Sequence, residues 1–213
     1  MTGVDISAIA GKAVLDLRGQ SRVLGSLWRH RPAVISWLRH FGCLFCKQQA
    51  AQMLAEKPRI EALGARLAFV GQGNTRHAIE FRRLYAPHCE MYTDPSRYTY
   101  DAIGATDSII STVAGVAVNG LRTMREGYFQ TTILGNPFQQ GGVLIAVPGD
   151  QAAYMYLSRI AGDHPPLEEV MAALRQAVSP QPIPPAQSFE VFASGLPATP
   201  RFGSAWPKRV STD

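Results

Sequence analysis

At 213 residues, with 46% hydrophobic and 17% charged residues, the chain has an ordinary globular composition, long enough for one well-buried core and cramped for two domains. Its formal charge of +5 is modest and its Lys and Arg residues are scattered, which argues against a nucleic-acid partner and supports only a weak preference for anionic ligands or reductant proteins. Three cysteines do not make a disulfide-stapled scaffold, Met1–Val14 lacks a signal-peptide pattern, and no apolar run reaches the roughly 20 residues of a membrane span, so no membrane association and a cytoplasmic location are expected.

In chain order, Lys12–Leu17 reads as a short strand and Ser21–His30 as a helical stretch that Pro32 ends. Ala33–Leu38 is the first strong strand. From Cys43 the period changes: Cys46, Ala50, Met53, Leu54, Ile60 and Leu63 share one helical stripe, with Pro58 expected to kink or split it and Gly64 to stop it. Arg66–Val70 is a second strand, ending in Gly71-Gln72-Gly73-Asn74. Thr75 is the expected cap of a helix to about Ala86, and Cys89–Thr93 is a third strand. Residues 97–128 read as mostly helical, punctuated by Gly104, Gly115 and Gly120. Gly141-Gly142 then opens a strand at Val143–Val147, Pro148-Gly149-Asp150 turns, and Ala152–Ser158 pairs back. Pro166 starts a last amphipathic helix carrying Leu167, Val170, Met171 and Leu174.

Beyond Val178 periodicity disappears, and seven of the 15 prolines lie in residues 179–213. The expected organisation is therefore a domain over 1–178 and a Pro-rich tail over 179–213, either mobile or docked through Phe189, Val191, Phe192 and Trp206 on the domain or a second subunit. The element order predicts an α/β fold, a mixed β-sheet flanked by helices. A thioredoxin-like architecture fits it, enlarged by an N-terminal extension and a helical insert.

The chemistry concentrates at Cys43-Leu44-Phe45-Cys46, where a strand hands over to a helix. C-x-x-C at such a junction is the signature of a thioredoxin-like redox site. One sulfur attacks as a thiolate and the second must reach back to resolve the mixed disulfide. Cys43 at the helix N-terminus gains about 0.3–2 kcal/mol from the helix dipole, which lowers a thiol pKa by up to roughly 1.5. Arg39 and His40, just upstream, add positive potential. Cys46 lies on the apolar stripe, so it is expected to be the interior, resolving sulfur and Cys43 the one at the mouth.

Two reduced core cysteines without a role are the bland alternative. Zinc would require two further ligands, and only Cys89 and His88 offer themselves. Gly71-x-Gly73 lacks the third glycine of a dinucleotide fingerprint and reads as a turn. Cys89 reads as strand packing, and Asp163-His164 as a helix-start turn.

The stretch Trp37-Leu38-Arg39-His40-Phe41-Gly42-Cys43-Leu44-Phe45-Cys46 resembles the Phe-x-Arg-x-Phe-Gly-Cys-x-x-Cys segment of peroxiredoxin-like proteins. These belong to the alkyl hydroperoxide reductase/thiol-specific antioxidant superfamily, in the group of selenoprotein U relatives and prostamide/prostaglandin F synthase. Arg66–Gly73, Tyr92-Thr93-Asp94-Pro95 and Gly135–Val143 are similar to further family segments, so the resemblance spans about residues 12–177.

The resemblance implies a thioredoxin fold and thiol-dependent reduction of a peroxide, endoperoxide or disulfide. It implies no bound cofactor, with electrons drawn from a dithiol protein or small thiol. By matching Cys43 to the reactive position of selenoprotein U relatives it makes Cys43 the nucleophile and Cys46 the resolver; the typical peroxiredoxin pattern instead places Cys46 at the reactive position. It also implies an arginine beside the sulfur, for which Arg39 is the candidate and Arg122 and Arg125 the alternatives. Gly141-Gly142 falls where thioredoxins carry a cis-proline. Disulfide reduction and a non-catalytic binding module remain competing functions, and a homodimer is a possible assembly.

Overall fold

The computed structural model describes residues 4–105 and 107–179. Eight strands form one mixed sheet: β1 (Val4–Asp5), β2 (Ala13–Leu15), β3 (Ser21–Val23), β4 (Ala33–Leu38), β5 (Arg66–Gly71), β6 (Glu90–Thr93), β7 (Gly142–Val147) and β8 (Gln151–Leu157). They lie in the order β1-β8-β7-β4-β5-β6-β2-β3. The helices are α1 (Ser7–Ala10), α2 (Leu44–Ala62), α3 (Thr75–Tyr85), α4 (Tyr98–Ile103), α5 (Ile109–Arg125) and α6 (Leu167–Val178). β4, β5 and β6 run parallel, joined by α2 and α3, while the β7–β8 hairpin adds antiparallel to β4. This is the thioredoxin-like arrangement expected.

β4 is central, and all six of its residues are buried, as a strand covered on both faces requires. Its period of two divides the core. Val34 and Leu38 join Phe45, Cys46, Met53, Phe69 and Ile145 on the face covered by α2, α3 and α6. Ile35 and Trp37 join Trp28, Val70, Tyr100 and Leu144 on the other. The strand ends nearest the site are held by polar side chains. Tyr100 Oη donates to Leu38 O at 2.6 Å, and Trp37 Nε1 donates to Thr99 Oγ1 at 2.9 Å. Thr99 in turn is fixed by Asp94, whose Oδ2 accepts from Thr99 N and Oγ1 at 2.8 and 2.7 Å, which accounts for the Tyr-Thr-Asp-Pro stretch.

Four local expectations are corrected. Ser21–His30 is not a helix: Ser21–Val23 pairs with Ala13–Leu15, and Leu24–Leu27 is a single 3₁₀ turn. Leu24, Leu27 and Trp28 are buried, and that i, i+3 spacing is common to both helix types. α2 is not split; it runs unbroken through Pro58, which lies on its exposed side. Asn74, not Thr75, caps α3, its Oδ1 accepting from His77 N at 3.0 Å. Gly115 and Gly120 do not interrupt α5; of the three glycines it is Gly104, at φ +77°, that ends a helix, as the C-cap of α4. Gly64 does end α2 in the left-handed region, at φ +75°.

β1 and α1 carry no sequence signal of their own length and come from docking, with Ile6 N donating to Asp150 O at 2.9 Å and Trp28 Nε1 to Asp150 Oδ1 at 2.8 Å. Among the described residues, no helix is long and apolar enough to cross a membrane. The docking expected of the Pro-rich tail lies outside the described residues.

Candidate active site

The turn Arg39–Cys43 joins the end of β4 to α2. Cys43 is the N-cap residue, with extended φ and ψ of −71° and 128°. The turn closes on itself through Cys43 N donating to His40 O at 3.2 Å and Gly42 N donating to His40 Nδ1 at 3.2 Å. His40 is therefore an Nε2–H tautomer, and burial, then the charges of Arg39 and Lys47, lower its pKa to about 4. Arg39 N donates to Cys46 Sγ at 3.1 Å.

The structure brings the three expected residues together. The Arg39 guanidinium lies 3.6 Å from Cys43 Sγ through Nη1. Its other donors are spent on neutral acceptors: Nε on Gln139 O at 2.9 Å, Nη2 on Thr112 Oγ1 at 2.8 Å and on Pro137 O at 2.5 Å. Arg39 is buried, and no carboxylate among the described residues pairs with it. A buried guanidinium without an anion is costly, and a thiolate on Cys43 is the anion within reach.

The two sulfurs differ in chemistry rather than in exposure. Cys43 at the mouth is a correction: Cys43 is 1% exposed and Cys46 0%. Burial by itself raises the Cys43 thiol. The hydrogen bond from Cys46, the Arg39 charge and the N–H groups of Cys46 and Phe45 outweigh it together and lower the pKa to about 6. Those N–H groups make no capping bond of strict geometry, yet they are the free donors of the helix start. Cys46 is raised well above an ordinary thiol by burial and by donating to Cys43. It keeps its proton.

What covers Cys43 is the segment between α5 and β7. Thr131 N donates to Gly42 O at 3.2 Å, Gln130 Oε1 accepts from Leu44 N at 3.4 Å, and a Cβ on Gly42 would lie 1.8 Å from Thr132 O. Lys47, one helical turn after Cys43, ties the same segment through Nζ to Phe129 O at 2.7 Å and Thr131 Oγ1 at 3.2 Å, and sits 5.3 Å from the Tyr85 ring centre. Burial lowers the Lys47 pKa, opposed by the two sulfurs. Gln72 Nε2 donates to Arg39 O and to Asn136 O, fastening the Gly135–Gln140 stretch that carries Arg39's acceptors. His164 Nε2 reaches Phe45 O at 3.1 Å.

Lys47, Gln72 and Thr112 were missed by sequence reasoning, and His164 was read only as part of a helix-start turn. Apart from the helical i+4 position of Lys47, no local pattern announces them. Arg122 and Arg125 are exposed, and Arg122 pairs with Glu126 at 3.3 Å. Burial raises the Cys89 thiol to about 11. Among the described residues no group of three His, Cys, Asp or Glu could hold a metal ion.

A thioredoxin-like fold with a buried Arg–Cys–Cys constellation at the start of a helix defines a thiol redox protein. The chain belongs to the AhpC/TSA antioxidant enzyme family, whose model matches residues 52–159, starting just downstream of Cys46. It is a thiol-dependent oxidoreductase. It is 34% identical to the Arabidopsis thaliana chloroplastic thioredoxin-like protein AAED1, over 75% of this chain and 68% of the relative. It is 31% identical to human peroxiredoxin-like 2C, over 78% of each chain, and 27% identical to prostamide/prostaglandin F synthase of Salmo salar, over 82% of this chain and 90% of that one. The fold is shared with Xanthomonas campestris peroxiredoxin Q, at a TM-score of 0.59, 15% identity, and coverage of 84% and 99%.

Proposed function

We propose that the chain reduces the O–O bond of a peroxide or endoperoxide, with Cys43 as the attacking sulfur and Cys46 as the resolving one. The Cys43 thiolate attacks one peroxide oxygen, forming an S–O bond as the O–O bond breaks. The departing alkoxide takes up a proton, leaving Cys43 as a sulfenic acid. Cys46 then attacks Cys43 Sγ, water leaves, and the Cys43–Cys46 disulfide forms. An external dithiol or two small thiols restore the reduced pair. With an endoperoxide the first product is a sulfenate ester, and attack by Cys46 releases a diol.

The observation that carries this reading is the buried Arg39 guanidinium, 3.6 Å from Cys43 Sγ and without a carboxylate partner among the described residues. It favours the thiolate and offers positive charge to the oxygen that leaves. Cys46, still protonated, is in place to resolve. Substrate reaches Cys43 when the Tyr128–Thr132 cover lifts. The endoperoxide reading draws support from the relatives named prostamide/prostaglandin F synthase. A cleft of about 410 Å³ beside the cover has a mixed lining, with Phe41, Phe81, Leu84 and Leu134 beside Lys47, Arg76, His77 and Glu80, and so offers such a substrate both apolar and charged surface.

The test is thiol loss in the reduced protein with one equivalent of hydrogen peroxide, an organic endoperoxide or a model disulfide. Rapid oxidation by an O–O substrate that disappears in Cys43→Ser is expected. Equal sluggishness of wild type and variant would remove the catalytic reading, and faster reaction with the disulfide would favour a thioredoxin-type reductase.

A further inference from the structure

We propose, resting on the peroxide reading above, that Lys47 is the general acid of the first step, giving its proton to the alkoxide that departs as Cys43 takes the other oxygen. The helix places it for that role. Lys47 lies one turn after Cys43 on α2, its backbone N donating to Cys43 O at 3.1 Å. Helical side chains lean back towards the N-terminus, and this one ends in the cover: Nζ donates to Phe129 O at 2.7 Å and to Thr131 Oγ1 at 3.2 Å. Thr131 is itself seated on the turn, its N donating to Gly42 O at 3.2 Å. Lifting the cover to admit substrate therefore removes both acceptors and frees the ammonium beside the turn that carries Cys43.

Lys47 is 3% exposed, and no carboxylate among the described residues pairs with it, a rare setting for a lysine. Burial favours release of its proton, and the charges of the two sulfurs oppose that release. As the Cys43 charge passes to the leaving oxygen, the sulfur's hold on the proton ends. The other ionisable groups facing Lys47 are His40 in the turn, Tyr85, whose ring centre is 5.3 Å from Nζ, and Arg76, His77 and Glu80, which line the same cleft.

The remaining groups around the sulfur are unsuited. Arg39 steadies the leaving charge, but a guanidinium keeps its protons. His40 and His164, lowered to about 4, are neutral at pH 7. Cys46 needs its proton for the water that leaves when it resolves the sulfenic acid. The step balances: the thiolate and a hydroperoxide give the sulfenic acid and an alkoxide, the ammonium converts the alkoxide to the alcohol, and the amine regains a proton from solvent.

The test compares leaving groups. Reduced wild type, Lys47→Met and Lys47→Arg are oxidised in stopped flow at pH 7 by cumene hydroperoxide, whose alkoxide needs a proton, and by peroxyacetic acid, whose acetate does not. Lys47→Met is expected to lose roughly 100-fold with the hydroperoxide, the low end of general-acid catalysis, and about threefold or less with the peroxyacid. Lys47→Arg keeps the charge that ties down the cover but gives up no proton, so it is expected to be as slow as Lys47→Met with the hydroperoxide. Equal losses with both oxidants, or no loss with either, would overturn the proposal. So would a hydroperoxide rate restored in Lys47→Arg, which would leave Lys47 as a tie to the cover alone. A wild type that neither oxidant oxidises would remove the peroxide reading and this step with it.

Discussion

Replacing Arg39 with Met removes the one charge that touches Cys43 while keeping an apolar stem of similar length. At 3.6 Å and an effective dielectric of about 20, a unit charge pair is worth roughly 4–5 kcal/mol, and each 1.36 kcal/mol is a factor of ten in the acid constant. Losing it moves the thiol from about 6 up towards the ordinary range, because burial is then opposed only by the Cys46 hydrogen bond and the N–H groups of Cys46 and Phe45. At pH 7 the thiolate fraction falls from about nine-tenths to about one-hundredth, so alkylation of Cys43 slows roughly 50- to 100-fold. The assay is stopped-flow alkylation and peroxide oxidation of the reduced protein from pH 5 to pH 10. Alkylation should recover at high pH, whereas peroxide oxidation should stay slow, since the variant lacks the cation that faces the leaving oxygen. An unchanged midpoint near pH 6 in Arg39→Met would refute the electrostatic argument.

Gly42→Ala forces Thr132 O away from the turn, so a loss of about 1–3 kcal/mol in urea unfolding and faster Cys43 alkylation at pH 9 are expected; unchanged values would show that the cover is not seated on Gly42. Gly115→Ala, which in a free helix gains roughly 0.5–1 kcal/mol, should instead destabilise, because its Cβ would sit 2.2 Å from Ala161 O; a stabilised variant would contradict the packing. His40 and His164 both have pKa lowered to about 4, mainly by burial. The unfolded chain takes up these protons near pH 6.5 and the folded one only near 4, so stability is retained above 6.5 and lost as pH falls between the two, by on the order of 3 kcal/mol per histidine. Flat stability from pH 6.5 to 4 would show the histidines to be freely titrating. At pH 8 a limiting alkylating agent should label Cys43 and leave Cys89, held near 11, untouched in the peptide map.

The features legible in the sequence were those with a local cause. The hydrophobic run of β4, the helical stripe beginning at Cys46 and Gly64 at the helix end each declare themselves within a few residues. So did the meeting of Arg39 with Cys43, four positions apart across one turn. What surrounds them did not. Arg39 is held by Thr112, Pro137 and Gln139, 73 to 100 residues away, and these contacts exist only because the segment after α5 folds back over the turn. That same segment buries Cys43, which the helix position alone placed at an open mouth. The 3₁₀ turn at Leu24–Leu27 shows a related limit, since two buried leucines three apart do not distinguish a single turn from the start of a helix. The orientation of α5 was likewise invisible: it exposes Ile110, Val113 and Val118 and buries Gly115, Gly120 and Thr123, and periodicity reveals an apolar face but not the side on which the rest of the molecule lies.

The central claim is that Cys43, held as a thiolate by Arg39, is the sulfur that meets the oxidant. It is tested most directly by treating the Cys46→Ser variant with one equivalent of hydrogen peroxide, trapping sulfenic acid with a dione reagent, and mapping the label by peptide mass spectrometry. The label should appear on Cys43, and the Cys43→Ser variant treated in the same way should carry none on Cys46. Rapid labelling of Cys46 in Cys43→Ser, with Cys43 unlabelled in Cys46→Ser, would reverse the roles of the two sulfurs and contradict the account.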